Sequence, residues 1–318
     1  MNSSNRISAV MPVKNGAAYI SNLIGTLNSN LREDDELVVI DDHSDDDSFR
    51  ELVRWSEMNE KVRVLKNGGN GLVDALNFGI SEAQNTWIAR FDVDDLYSKN
   101  RLNAQRYFLK PNVVAVFSDY SFFSDSEFNL GSIQSGVTSN ATKLSLVSGQ
   151  RTAHSSAIFN KVAFNHAGGY RKKDFPAEDL SLWLRLSRLG DFYSVPDILM
   201  NYRIGSNSIT STKRSESLSK KRSLIHEIGL EDAVVANSLR EWQAIFNDYR
   251  EYESMSRRKI LFLRDVVQIC REKKLSRLDM KYALELTSRF LINPQNLFVA
   301  RDLYVERRLR NQIRAKFG

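Results

Sequence analysis

Short apolar runs alternate with amphipathic stretches along the first 120 residues. Ile7 to Met11 is an apolar run that Pro12 and the turn pair Asn15-Gly16 bring to a stop. A helix is predicted from about Ala18 to Asn28 and a buried strand over Glu36 to Ile40. The acidic segment DDHSDDDS follows, then a helix from about Asp47 to Met58 with Phe49, Leu52 and Val53 on one face. Val62 to Leu65 is a third strand, NGGNG a loop, and Val73 to Ala83 a helix. Trp87 to Phe91 and Val113 to Tyr120 complete the strands. This alternation predicts an α/β fold with a mostly parallel central sheet flanked by helices. Ligands of such sheets bind beyond the carboxyl ends of the strands, where both acidic clusters lie.

Farther along the pattern changes. Residues 124–150 are rich in Ser, Asn and Gly and read as loops around short strands. Glu178 to Leu189 reads as a helix stopped by Gly190. After Asn207 every segment is helical in period, with candidates at 214–228, 231–250, 254–274, 276–291 and 295–316. Two regions are therefore expected, an α/β domain over 1–212 and an all-helical extension over 213–318. Charge divides the same way: residues 1–212 carry net −3 and residues 213–318 net +9, within a total of +6.

Composition narrows the function classes. Apolar residues make up 42% of 318, enough for a large core, which excludes a disordered chain. A single cysteine, Cys270, excludes an internal disulfide and a Cys-rich metal site, and suits a reducing compartment. The first 20 residues lack a signal-peptide apolar core, and no apolar run approaches the length of a membrane span. A cytoplasmic protein is expected.

The stretch WIARFDVDDLYSKNRL ends a strand in three carboxylates, Asp92, Asp94 and Asp95. In extended chain Asp92 and Asp94 face the same side, roughly 7 Å apart at Cα. Two carboxylates aimed at one point suit a hard cation, Mn2+ or Mg2+, completed by phosphate oxygens. They equally suit the acidic start of the helix holding Arg101 and Leu102, with Asp94 or Asp95 as its cap. The EF-hand pattern fails, since Leu96 and Tyr97 stand at its fifth and sixth positions.

Five segments in order carry a resemblance: VMPVKNG (10–16), VIDDHSDD (39–46), NGLVDALNFGISEA (70–83), IARFDVDD (88–95) and AEDLSLWLR (177–185). GGYR (168–171) fits as well, as does Tyr202-Arg203 followed by Asn207-Ser208-Ile209. Together they resemble family 2 glycosyltransferases of the GT-A fold, over about residues 6–212. The resemblance implies inverting transfer of a sugar from a nucleotide diphosphate, usually a UDP-sugar, to a hydroxyl. It implies that Asp42 bonds the base, with Pro12, Val13 and Asn15 lining the pocket. It implies Asp94 as metal ligand, with Asp92 on the ribose or the metal's water shell, and Asn70, Asn77 and Arg90 assisting. Asn77 is equally a structural hydrogen-bonder, and Asp45 to Asp47 read as helix caps. Asp179 matches the general base, oriented or tuned by Glu178. Gly169, Tyr170, His154 and Trp183 fall on the acceptor side, although Trp183 reads more readily as core and His154 as a satisfied structural histidine. Arg203 would reach the leaving phosphate or pair with a surface carboxylate.

The basic extension holds Lys220-Lys221-Arg222, Arg257-Arg258-Lys259 and Arg307-Arg308 with Arg310 and Arg314. Val305, Leu309, Ile313 and Phe317 form a narrow apolar stripe among those last arginines. Such a helix suits an anionic membrane surface, here the cytoplasmic face of an inner membrane. It equally suits packing on the catalytic domain or on a second copy in a homo-oligomer. No nucleic-acid motif accompanies the charge. By family habit the acceptor is a saccharide, often lipid-linked on a polyprenyl diphosphate, in O-antigen or capsule synthesis. Two rivals stand: a catalytically silent GT-A scaffold, and a sugar-phosphate nucleotidyltransferase, whose Gly-rich, Arg-containing loop PVKNG does not supply.

Overall fold

The computed structural model describes residues 5–126, 128, 130–133, 139–147, 152–205 and 212–228. The predicted helices between 231 and 316, the Asn207-Ser208-Ile209 motif, the basic clusters at 257–259 and 307–314, and Cys270 lie outside the described residues.

The chain opens as predicted, with strands β1 (Ile7–Val13), β2 (Glu36–Asp41), β3 (Val62–Lys66) and β4 (Trp87–Arg90) separated by helices α1 (Ala17–Asn30), α2 (Ser48–Met58) and α3 (Leu72–Glu82). Then come β5 (Leu96–Tyr97), α4 (Arg101–Arg106), β6 (Val113–Phe123), β7 (Ser132–Ile133) and α5 (Ser139–Val147). A 3-10 turn at His154–Ser156 leads to β8 (Ile158–Asn160) and α6 (Lys161–His166). A second turn at Lys172–Asp174 precedes α7 (Glu178–Leu186), β9 (Asp191–Arg203) and α8 (Arg214–Glu227).

The nine described strands form one mixed sheet in the order β3-β2-β1-β4-β8-β6-β9-β5, with β7 paired to β6. β1, β2, β3 and β4 pair in parallel, as do β6 and β9. β8 runs antiparallel to both β4 and β6, so β6 and β9 point the same way as β4. Six described strands thus deliver their carboxyl ends to one edge of the sheet.

Pro12 does not end β1, which runs on to Val13 in register with β2. Val13 accepts from the Asp42 amide, so backbone groups at Val13 face β2 and those at Pro12 face β4. The ladder between β1 and β4 ends at Val10–Arg90, so the missing N–H of Pro12 breaks no ladder bond. The long strand β9 escapes the sequence pattern because Pro196 and Asp197 bulge out between Val195 and Ile198, breaking the alternation. Helix α7 ends at Leu186, three residues earlier than its leucine spacing predicts, and Leu189 is exposed.

Alternate residues of each strand feed opposite cores. Val10, Ile88, Phe117 and Phe159 face α3, α6 and α7, together with Leu76, Phe164 and Trp183. Met11, Ala89, Val116 and Ile158 face α1, α2 and α4, together with Ile20, Leu52 and Leu102. Leu224 of α8 is buried in the first of these cores.

Candidate active site

Three loops at the carboxyl edge, β1–α1, β2–α2 and β3–α3, are tied to one another by side chains. Asn15, in a left-handed conformation (φ 53°), donates its amide to Ser44 Oγ at 3.0 Å and accepts from the Asp45 amide at 2.8 Å. Asn15 therefore brackets the β1–α1 and β2–α2 loops. Asp46 accepts from the amides of Ala17 and Ser48, serving the starts of α1 and α2. Of the three expected caps, then, Asp46 serves the helices. Asp47 holds the N-cap position without a side-chain cap bond and pairs with Arg50 at 2.6 Å.

Asp42 is buried beside the end of β1, next to Pro12 and Val13. Its Oδ1 accepts from Asn67 Nδ2 at 2.7 Å and from the Gly71 amide at 3.0 Å. No described residue bonds its Oδ2. Asn67, which sequence reasoning passed over, thereby fixes the carboxylate together with the NGGNG loop. The Asn70 side chain is exposed, and its amide donates to Asp74.

The DVDD segment forms a tight turn after β4. Tyr97 Oη accepts from the Asp92 amide at 2.7 Å and donates to the Asp92 carbonyl at 3.1 Å. Arg90 is buried; its Nη2 donates to Asp92 Oδ1 at 2.6 Å, its Nη1 donates to the Phe91 carbonyl, and its Nε is buried without a partner. Beneath it Arg101 stacks 4.2 Å from the Phe91 ring centroid and donates to the Arg90 carbonyl at 2.9 Å. Burial lowers Arg101 to about 10, which still leaves it charged at neutral pH. Burial, and next the charge of Asp92, push the Asp94 carboxyl up to about 6.

Asp95 is no helix cap. Its carboxylate accepts from Ser155 Oγ at 2.6 Å and from the Arg203 amide at 2.8 Å, joining the turn to β9. Arg203 Nε donates to the Asp94 carbonyl at 2.8 Å, its Nη1 pairs with Asp125, and its guanidinium lies over Tyr19 and Phe123. Of the two sequence readings for Arg203, the structure shows the surface-carboxylate pairing.

On the other side stand Glu178 and Asp179 at the start of α7. Glu178 is buried and Asp179 partly exposed, with Asp179 Oδ1 accepting from the Leu180 amide at 2.7 Å. Burial, and next repulsion from Asp179, raise Glu178 to about 7. The GGYR loop is pinned by Asn77, which donates to the Tyr170 carbonyl at 2.9 Å and accepts from its amide at 3.1 Å. Asn77 is thus the structural hydrogen-bonder. Gly169 needs its freedom: φ is 63°, and a Cβ would sit 3.1 Å from Asn77 Oδ1.

His154 Nε2 bonds Tyr170 Oη at 2.7 Å, and burial followed by the Arg90 charge keeps the imidazole neutral. Trp183 is fully buried against Phe117, Phe159 and His154. It is core, and the stacking surface expected of it is spent on protein. Tyr170 is 4% exposed with its ring packed on Phe164 and His154, so it too offers no face to a sugar.

The two sides share one field. Arg90 acts on Asp94, His154 and Glu178, and Tyr170 feels Arg90, Asp179, Glu178 and Asp92. Asp92 and Asp94 supply oxygen donors alone, with the Asp94 carboxyl raised by burial and then by repulsion from Asp92, a set that fits a hard divalent cation. Among the described residues no group of three His, Cys, Asp or Glu side chains makes a closed metal cage.

The family model described as glycosyl transferase family 2 matches residues 8–176, more than half of the chain. The chain belongs to glycosyl transferase family 2. This glycosyltransferase is 26% identical over 223 residues to an uncharacterized glycosyltransferase of Haemophilus influenzae, covering 66% of this chain and 69% of that one. It is 26% identical over 182 residues to the amylovoran biosynthesis glycosyltransferase AmsE of Erwinia amylovora, covering 56% and 68%. It spans 39% of the length of two longer Rickettsia relatives. Its fold is similar to S. aureus TarS 1-349 in complex with UDP-GlcNAc, at TM-score 0.59 and 14% identity over 83% of this chain and 81% of that one. It is also similar to the mannosyltransferase PcManGT from Pyrobaculum calidifontis in complex with GDP-Man and Mn2+, at TM-score 0.57 and 16% identity over 96% and 86%. The GT-A fold expected from the sequence is the fold observed, and the family match sets the nucleotidyltransferase alternative aside. Among the described residues no helix is long and apolar enough to cross a membrane.

Proposed function

We propose that this glycosyltransferase moves a sugar from a nucleotide diphosphate, a UDP-sugar, to a saccharide hydroxyl with inversion, in the building of a surface polysaccharide. The observation that carries the reading is the turn at His154–Ser156, which bonds Asp95 of the DVDD turn through Ser155 at 2.6 Å and Tyr170 of the GGYR loop through His154 at 2.7 Å, so that the two sides meet. Relatives named for polysaccharide synthesis and neighbours holding UDP-GlcNAc or GDP-Man support it.

Asp42, with Oδ1 committed to Asn67 and Gly71, presents Oδ2 to accept the imide N–H of uracil, with Pro12 and Val13 lining the pocket. Asp94 and Asp92 would hold Mn2+ or Mg2+, which when bound neutralises the diphosphate oxygens. Arg90 orients Asp92 through its hydrogen bond to Oδ1. Asp179 takes the proton of the acceptor hydroxyl while that oxygen attacks the anomeric carbon opposite the diphosphate. The bond to the diphosphate breaks and the leaving group departs with its electron pair. Asn15, Asn77 and His154 act by holding loops.

Calorimetric titration of UDP and of GDP, each with and without Mn2+, tests the reading. Manganese-dependent UDP binding that vanishes in Asp94→Ala is expected. Preference for GDP would replace the donor base, and failure of folded protein to bind either nucleotide would sink the transferase reading.

A further inference from the structure

A single hydroxyl serves both backbone groups of Asp92. Tyr97 Oη accepts from the Asp92 amide at 2.7 Å and gives its own proton to the Asp92 carbonyl at 3.1 Å. Asp92 lies past the end of β4, where the strand ladder no longer supplies such partners. A phenol suits the task, because it carries one donor and acceptor lone pairs at the tip of a rigid ring.

That ring is itself located from several sides. Tyr97 lies in β5, paired with Met200 of β9. Its ring meets Phe91 edge-on with centroids 4.6 Å apart, and the Arg101 guanidinium stands 4.9 Å from its centroid. Arg101 is fully buried and bonds Gln105 Oε1 at 3.0 Å and the carbonyls of Arg90 and Ala157 at 2.9 and 3.3 Å. Gln105 in turn donates to the carbonyls of Val116 and Ser156 at 3.1 and 2.8 Å. The hydroxyl therefore carries the placement of α4, β6 and β9 to one backbone unit of the DVDD turn.

The rest of the turn is held as well. Arg90 bonds Asp92 Oδ1 at 2.6 Å, and Arg203 Nε donates to the Asp94 carbonyl at 2.8 Å. Val93 packs on Gly16, where an added Cβ would come within 2.8 Å of Val93 Cγ1. With these points fixed, the clasp on Asp92 sets where the first carboxylate stands relative to the second. A hard cation is sensitive to that spacing, since Mg2+ takes oxygen ligands at about 2.0–2.1 Å in a near-octahedral array.

We propose that Tyr97 is a positioning residue for the cation site, its hydroxyl setting the backbone of Asp92 so that the Asp92 and Asp94 carboxylates address one divalent cation. The inference rests on the reading of Asp92 and Asp94 as the cation-binding pair. Tyr97 acts through the main chain of Asp92.

The test is Tyr97→Phe in the full chain, which removes one oxygen and keeps a ring against Phe91 and Arg101. Mn2+ binding is followed by electron paramagnetic resonance with and without UDP, and metal-free UDP binding by calorimetry. Mn2+ affinity is expected to fall roughly five-fold or more in both conditions, as for one lost hydrogen bond, while metal-free UDP affinity stays at the wild-type value. A merely structural residue would not produce that split. Unchanged Mn2+ affinity in Tyr97→Phe overturns the proposal, as do equal losses of Mn2+ and metal-free UDP affinity, which confine Tyr97 to folding. Asp94→Ala tests the underlying reading separately. Mn2+ binding that survives Asp94→Ala, or a wild-type chain that binds no Mn2+, overturns the carboxylate pair and the proposal with it. Mn2+ binding lost in Asp94→Ala and intact in Tyr97→Phe overturns the proposal alone. Should UDP not bind the wild type, the donor reading fails by itself, and the Mn2+ titration without UDP still decides the role of Tyr97.

Discussion

Arg90 Nη2 reaches Asp92 Oδ1 at 2.6 Å from a buried position, while Arg101 holds the Arg90 carbonyl from below. Two buried guanidinium groups thus stand behind the DVDD turn. Removing the first takes from Asp92 the cation bonded to its carboxylate, and empties a packed site. Arg90→Met is expected to cost about 3 kcal/mol of stability in denaturant titration, the range for one broken partner of a buried pair. Its Mn2+-dependent UDP affinity should fall about ten-fold or more. A variant that keeps wild-type UDP affinity would confine Arg90 to folding.

Glu178 gives a pH prediction. Its carboxyl rises from an ordinary 4.5 to about 7 in the folded chain, through burial and then repulsion from Asp179. Between those values the unfolded chain holds fewer protons at this position than the folded one. The stability it contributes is full below about pH 4.5 and is lost as pH rises through about 7. Glu178→Gln should therefore be more stable than wild type at pH 8, by on the order of 1–3 kcal/mol, and nearly equal at pH 5. Thermal melts at the two pH values measure this, and equal gaps at both would contradict it.

Asp42 makes a separable claim. Its Oδ1 is committed to Asn67 and Gly71. Replacing the carboxylate by an amide removes a charged acceptor, worth about 1.5–3 kcal/mol in a hydrogen bond to nucleotide. Asp42→Asn is expected to weaken UDP at least about ten-fold while the melting curve moves little. Equal UDP affinity in calorimetry would remove Asp42 from the base pocket.

Gly169 tests the acceptor loop. With φ at 63° and Asn77 Oδ1 3.1 Å from an added Cβ, Gly169→Ala forces both backbone and neighbour to shift. A loss of about 1–3 kcal/mol is expected, with UDP affinity retained because the loop lies on the Glu178–Asp179 side. Parallel loss of UDP affinity would show that the two sides are not separable.

Much of this protein was legible before folding. The alternation of periods marks β1 to β4 and α1 to α3 within a residue or two, because each element buries a continuous face. The acidic ends of β2 and β4 stand out because charge interrupts apolar runs there. Asn77 was left open between binding and structure, and only its two bonds to Tyr170 decide it. Trp183 reads as core in the sequence, but its packing on Phe117 and Phe159, far off in the chain, is visible only in the fold.

The sequence by itself determined the α/β class and placed the carboxylates of the DVDD turn and the pair at the start of α7, since these depend on local period and local charge. The tertiary structure alone decided which carboxylate is spent on protein partners. Asp95 is tied to Ser155 and Arg203, 60 and 108 residues away, while Asp94 keeps its side chain at the site. It likewise decided that Leu224 joins the core that holds Leu180 and Trp183. The physical reason is range. Hydrogen bonds and burial act over a few ångströms, and only the folded sheet brings such distant residues that close.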